Sequence, residues 1–233
     1  MVLVDPHSLA VTLDAVSEAL FFGRPIPRAE REGAARWIAA RQGLPGCYAG
    51  MFAPAERDRN EGIRLFTGEP VTTRAGTAHV LGEEACRALI LLDVKLTSVR
   101  DTLARAAEGM LERLRAAEQR ERDMGRPWLG QYCCGRCTAA LWRHLAAGGL
   151  GDQERHLAAG VEALRLSRLG DGKWRRYPFW YTVLALSEMD ISLAIDEMRY
   201  AAPVIERSLR RAGSDGRFAL RRRTLAERVL GRC

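Results

Sequence analysis

The chain has 233 residues, 47% hydrophobic and 28% charged, a composition that belongs to globular proteins with room for a sizeable core. No uncharged apolar run reaches the roughly 18 residues of a membrane-crossing helix. The N-terminus lacks a basic stretch followed by a long apolar one, so a secretory signal is not expected and the reading is cytoplasmic. The formal charge is +7, which raises a nucleic-acid or other anionic partner.

The distribution of that charge argues for a plainer origin. Only Lys95 and Lys173 are lysines, so arginine supplies the rest of the 36 basic residues. Acids are interleaved with the arginines along 108–123, which is the pattern of solvated helix faces with i,i+4 pairs. Only 207–223 is clearly one-sided. Of the six cysteines (Cys47, Cys86, Cys133, Cys134, Cys137 and Cys233), none sits in a recognisable secreted framework, and free thiols are expected.

Asp5-Pro6 reads as an N-cap followed by proline at the first helical position, and predicts a helix to about Phe22 with Leu9, Leu13, Val16 and Leu20 on its apolar face. A second helix is predicted over 28–42, burying Ala35, Trp37 and Ile38. Residues 43–80 are rich in glycine and proline and read as an insertion or covering loop, with helical turns near 54–65 and an extended piece at 67–73. Within it, Leu65 and Phe66 are expected to dock into the core. Helical periodicity then runs from 82 to 123, and Ser98-x-x-Asp101 suggests a capping box at a break near Thr97-Ser98. Helices follow at about 131–147, 151–169, 179–189, 191–212 and 220–230, separated by Gly148-Gly149, Asp171-Gly172 and Asp215-Gly216. No strand ladder with sustained alternation is evident.

A weak internal repeat runs through these helices. Residues 158–186 give a helix, Asp171-Gly172-Lys173-Trp174, Pro178-Phe179 and a helix containing Thr182. Residues 105–142 give a helix, a Gly/Pro turn with Trp128, and Cys137-Thr138-Ala139-Ala140-Leu141-Trp142. Residues 33–91 offer a looser third copy that ends on Glu84-Ala85-Cys86. One such hairpin cannot bury its own apolar face, whereas stacked hairpins can. Trp174 is expected to plug its turn onto the next pair, and Asp171 to cap a helix.

The stretch Gly170-Asp171-Gly172-Lys173-Trp174, Pro178-Phe179, Thr182 and Ala185-Leu186 resembles the repeat of the terpenoid cyclase and protein prenyltransferase α/α-toroid superfamily. The resemblance implies an all-α fold of stacked antiparallel helix hairpins. In a chain shorter than a full toroid, it implies a partial α/α-toroid-like arc that is open and forms one domain over 1–233. It does not extend to the chemistry. The cyclases' aspartate-rich acid motif is absent, Asp190 and Asp196-Glu197 do not form a magnesium-binding run, and no Asp/Cys/His zinc set follows the prenyltransferase order.

Two constellations remain as candidate sites. Cys133, Cys134 and Cys137, with His144 two turns on, would share a helix face and could hold zinc, with His156 or Cys86 as a further ligand. The alternatives are that these cysteines fill a tightly packed inner helix, or that one is a redox or nucleophilic thiol favoured by Arg136 and a helix N-terminus. Trp128, Tyr132, Trp174, Tyr177, Trp180 and Tyr181 could line a concave pocket for an apolar, isoprenoid-like small molecule or a peptide, or could be core and turn plugs. His79, just before Gly82-Glu83-Glu84, is a candidate general base. No nucleotide-binding fingerprint occurs. Three functions stay open: a ligand-binding helical protein, an enzyme of the toroid type using a thiol or metal, and a basic helical-repeat nucleic-acid binder. A homodimer of two half-arcs would close a ring.

Overall fold

The computed structural model describes residues 2–126, 128, 130, 133–210 and 216–233. Gln131, Tyr132 and Asp215, on which sequence expectations fell, lie outside them. Among the described residues the helices are α1 (Leu9–Phe21), α2 (Arg28–Ala39), α3 (Glu56–Glu61), α4 (Arg74–Leu92), α5 (Thr97–Asp123), α6 (Gly135–Ala147), α7 (Gln153–Leu166), α8 (Phe179–Glu188), α9 (Ile191–Arg210) and α10 (Arg217–Leu230). One antiparallel hairpin, β1 (Ile63–Arg64) and β2 (Pro70–Val71), pairs Ile63 with Val71. No helix among the described residues is long and apolar enough to cross a membrane.

Burial sorts the helices into two layers. α4, α6 and α8 are buried on almost every side and touch one another in the order α4, α6, α8, with α1 against α4 and α10 against α8. α2, α5, α7 and α9 bury a single face. In α5 that face is Val99, Thr102, Ala106, Met110, Leu114 and Ala117, a spacing of three and four that makes a stripe along one side. α2 and α5 touch, as do α7 and α9, while α6 with α7 and α8 with α9 form consecutive hairpins. The layout is that of stacked hairpins, each covering apolar surface its neighbour would otherwise leave wet.

The internal repeat is written most clearly in how the inner helices begin. Thr12, Thr77, Thr138 and Thr182 are all buried and each lies four residues after its N-cap. Their amides donate to the carbonyls of Ser8, Thr73, Cys134 and Pro178, at 3.3, 2.9, 2.9 and 2.9 Å. In α8 the Thr182 hydroxyl also donates to the Pro178 carbonyl, at 2.7 Å. The Thr12 hydroxyl likewise donates to the Ser8 carbonyl at 3.1 Å, so in α1 and α8 the threonine satisfies its own hydroxyl locally, whereas the Thr77 and Thr138 hydroxyls are buried without a partner. The third copy therefore opens on Thr77, a register earlier than the Glu84-Ala85-Cys86 alignment placed it.

Segment 43–80 is built into the structure. Leu65 and Phe66 are buried in the core, as expected of a strap. Its acids meet the positive ends of two inner helices. Asp58 accepts from the Ser8 hydroxyl at 2.5 Å and the Leu9 amide at 2.8 Å at the start of α1, and Glu69 accepts from the Tyr181 amide at 3.1 Å in the first turn of α8. Its last residues already belong to α4, which starts at Arg74 with the Thr73 hydroxyl accepting from Gly76 N.

Three local expectations are corrected. Asp5-Pro6 does not open α1; Ser8 caps it, and Asp5 folds into its own turn by accepting from His7 N at 2.8 Å. The break between α4 and α5 falls at Asp93, in the left-handed region at φ 48°, and α5 starts after Leu96 with no side-chain cap, so no Ser98–Asp101 box forms. Asp171 caps no helix and accepts from Lys173 N, at 3.0 Å, within its own turn. Trp174 is placed as expected. It is 3% exposed, and its indole N–H donates to Glu197 of α9 at 2.8 Å, which ties the α7–α8 turn to the next helix.

The two ends of the succession meet, where an open arc would leave them apart. Arg221 of α10 is buried and donates to Asp14 of α1 at 2.7 and 2.8 Å, to Glu18 of α1, and to the Phe66 carbonyl at 3.0 Å. The 207–223 basic run is therefore partly consumed inside the fold, since Arg222 also donates to the Thr67 carbonyl at 2.7 Å.

Candidate metal centre

Inner helices α4 and α6 run parallel, as their contacts show: His79 of α4 faces Cys137 of α6, and further along Glu84 faces Arg143. The N-terminal end of this α4–α6 seam carries the thiols. α6 begins only at Gly135, so Cys133 precedes the helix, Cys134 is its N-cap in extended conformation (φ −79°, ψ 165°), and Cys137 sits in the first turn. The turn, not a shared helix face, brings the three sulfurs together. Cys134 Sγ lies 3.5 Å from Cys137 Sγ, and the Cys133 thiol is in hydrogen-bonding contact with both. Cys137 is buried, while Cys133 and Cys134 are exposed. Gly135 makes the seat possible, because a Cβ there would come within 2.4 Å of the Arg176 carbonyl.

The nitrogen donor comes from α4. Ligand atoms of His79, Cys133 and Cys137 all lie within 4.8 Å of one another. Tyr48, delivered by 43–80, lays its ring on His79 with centroids 3.4 Å apart, and its hydroxyl accepts from Arg113 Nε of α5 at 3.0 Å. Burial lowers the His79 pKa, with the Cys134 sulfur opposing and Arg113 assisting, so the imidazole is biased to its neutral, ligating form. Among the thiols the charge is shared unequally. Donation from Cys133 and Cys137, with the Cys137 and Arg136 amides, holds the Cys134 thiol far below the ordinary range, while Cys137 is pushed far up by the same partners and by burial. One thiolate can be held by two thiol donors; removing the other protons calls for a cation at the centre.

His144 is not part of this cluster, which corrects its assignment as a zinc ligand. It lies two turns along α6, wholly buried, with Nδ1 2.7 Å from Glu83 Oε2 and the Cys86 sulfur beside its ring. Cys86 is thus engaged with His144, and His156 of α7 stacks edge-on against Trp128 at 5.1 Å; neither joins the thiols. Burial alone would lower the His144 pKa, but Cys86 and Glu83 overcome it and push it up to about 10. A histidine raised in this way contributes stability that is complete below the unfolded value near 6.5 and disappears as pH rises through about 10. Thermal melts from pH 6 to 10.5 are expected to show His144→Asn lacking this alkaline decline; parallel curves for the two proteins would reject the assignment.

Among the described residues, the aromatic side chains named in the sequence make several separate contacts. Trp174 belongs to the α8–α9 contact, stacked with Phe179 at 5.9 Å. Tyr177 stacks on Trp142 at 5.5 Å. Tyr181 is buried, and its hydroxyl donates to Glu84. Trp180 meets Phe179 edge-on, and Trp128 faces α7. Tyr132 lies outside the described residues.

A second buried cluster lies behind the metal-ligand candidates. Arg143 of α6 donates to Glu84 of α4 and grips Glu188 of α8 with Nε at 2.8 Å and Nη2 at 3.0 Å, and Arg87 of α4 donates to the same carboxylate at 2.7 Å. Two arginines and two carboxylates balance, so the set is charge-neutral. Comparisons with known protein families, with characterised proteins and with solved structures find no match for this chain.

Proposed function

We propose that this chain is a helical metalloprotein whose centre is one zinc-class ion held by Cys133, Cys134, Cys137 and His79. The observation that carries the reading is an α4 imidazole within 4.8 Å of the Cys133 and Cys137 sulfurs at the start of α6, with the Cys134 sulfur 3.5 Å from that of Cys137. A sulfur pair 3.5 Å apart is close to the ~3.8 Å edge of a tetrahedron with Zn–S bonds of about 2.3 Å. Three thiolates and one imidazole are a soft donor set that favours zinc over magnesium or calcium. Four protein ligands leave no open position, so the ion acts as a staple between the start of α6 and α4, and its binding free energy is folding free energy. The recurring threonine at the inner helix starts supports kinship with α/α-hairpin proteins in architecture, with none of their catalytic sets reproduced.

Elemental analysis of purified protein is expected to give one zinc-class ion per chain. His79→Ala should weaken affinity by more than the ~10–100-fold that an outer-shell change costs, and His144→Ala should leave the stoichiometry intact. A cobalt-substituted sample should show sulfur-to-cobalt charge-transfer absorption. Folded wild-type protein that neither carries nor takes up metal would reject the centre.

A further inference from the structure

We propose that Cys134 and Cys137 are an oxidation site, at which a hydroperoxide forms an intramolecular disulfide and so discharges the metal. The inference rests on the centre proposed above and adds its regulation. The two residues are the N-cap and the third residue of α6, joined by Gly135-Arg136, and their sulfurs are 3.5 Å apart. A disulfide needs about 2.05 Å between sulfurs, so closure requires roughly 1.5 Å of approach, which rotation of two short side chains supplies. The backbone beneath them is already set by the Thr138 amide donating to the Cys134 carbonyl at 2.9 Å. Arg136, which separates them in sequence, is directed elsewhere, donating to the Pro70 carbonyl at 3.3 Å.

Exposure assigns the roles. Cys134 is open to solvent and reachable by a small oxidant, whereas Cys137 is 1% exposed and reachable chiefly by its neighbour. Cys133 is a poorer partner for Cys134, because adjacent cysteines close a strained ring around a single peptide unit. The Cys134 thiolate attacks a peroxide oxygen, the O–O bond breaks, and hydroxide leaves and is protonated. The resulting sulfenic acid is attacked at sulfur by the Cys137 thiolate, the S–O bond breaks, and a second hydroxide leaves. Each sulfur loses one electron, and hydrogen peroxide becomes two waters. The ion keeps its charge but retains only Cys133 and His79, too few ligands for a zinc staple.

Metal-loaded protein treated with one equivalent of hydrogen peroxide is expected to release one zinc per chain to a chromogenic chelator. In step with that release, trypsin, cutting after Arg136, should yield two peptides joined through a disulfide. Cys133→Ser should give the same joined peptides, which fixes Cys134 as the partner. Cys137→Ser should instead leave a sulfenic acid on Cys134, trapped by dimedone. A phosphine reductant plus zinc should restore the loaded state. Loaded protein that keeps its metal through disulfide formation, or that releases it while Cys133 alone is oxidised, overturns the switch and leaves the centre standing. Protein that never binds metal removes the centre, and the disulfide map then reports separately whether the pair oxidises.

Discussion

Arg143→Ala is expected to lower stability by about 3–5 kcal/mol, the cost typical of removing one partner from a buried ion pair. The side chain is 2% exposed and joins α6 to two neighbouring helices, through Glu84 on α4 and through Glu188 and the Tyr181 ring, at 5.4 Å, on α8. Its removal leaves Glu188 with Arg87 and Glu84 with only the Tyr181 hydroxyl, an uncompensated charge in a place water enters poorly. With a slope of ~1–3 kcal/mol per molar urea, the unfolding midpoint should fall by roughly 2 M. The pair's net worth is a separate quantity. Combining the Arg143 change with Glu84→Gln should recover much of the loss, because it removes the stranded charge as well as the attraction and leaves Arg87 paired with Glu188. A loss below about 1 kcal/mol, as for exposed pairs, would mean that the cluster is hydrated and that α4, α6 and α8 are not tied through it.

The same cluster shows what the sequence could and could not convey. Periodicity placed most helices within a few residues, because a helix that buries one face must repeat its apolar residues every third or fourth position, as α5 does. It served less well in α4, where almost every side is buried and charged residues such as Glu83, Glu84 and Arg87 sit inside. Glu84-Ala85-Cys86 aligns with the opening of the inner helix in the other copies, yet those residues lie in mid-helix, and α4 opens near Thr77, in a segment whose glycines and prolines read as loop. Trp174 was legible because a turn followed by a lone indole has few other uses.

At the candidate centre, local spacing groups the three thiols with His144, whereas the structure sets His79 beside Cys133 and Cys137. His144 was chosen because it follows Cys137 on the same helix, but the true geometry depends on where α6 begins. With Cys134 as the N-cap, the Cys133 and Cys137 sulfurs lie beside His79 of α4. His79 is remote in sequence and joins them only through the parallel register of α4 and α6. Its nearest sequence signal was its place four residues before Glu83, which puts both on the α4 face that meets α6. The described aromatic residues are close in sequence, and the alternation of turn and helix gives them different contacts.

Arg221→Leu tests how the first and last helices are joined, and a loss of about 2–3 kcal/mol is expected, in the range of hydrogen bonds to charged groups. The guanidinium is 1% exposed and lies over the Phe66 ring at 4.1 Å, so it carries packing as well as charge. Asp14 and Glu18 are 21% and 29% exposed, so both can rehydrate once the arginine is gone, whereas Glu84, stranded by the Arg143 change, is only 10% exposed, which makes this change the milder one. Its signature should be local. α10 is tied to α1 by Arg221 and by Arg228 donating to the Phe21 carbonyl, and to α8 and α9 by a face that includes Leu225, Ala226 and Val229. Loosening the first tie should raise amide exchange throughout α10 and speed tryptic cleavage after Arg222 and Arg223, while α4 and α6 keep their protection. Uniform acceleration across all helices would mean that α10 belongs to the same cooperative unit as the centre. In that case the junction between the chain's ends is part of the fold's core instead of a clasp upon it.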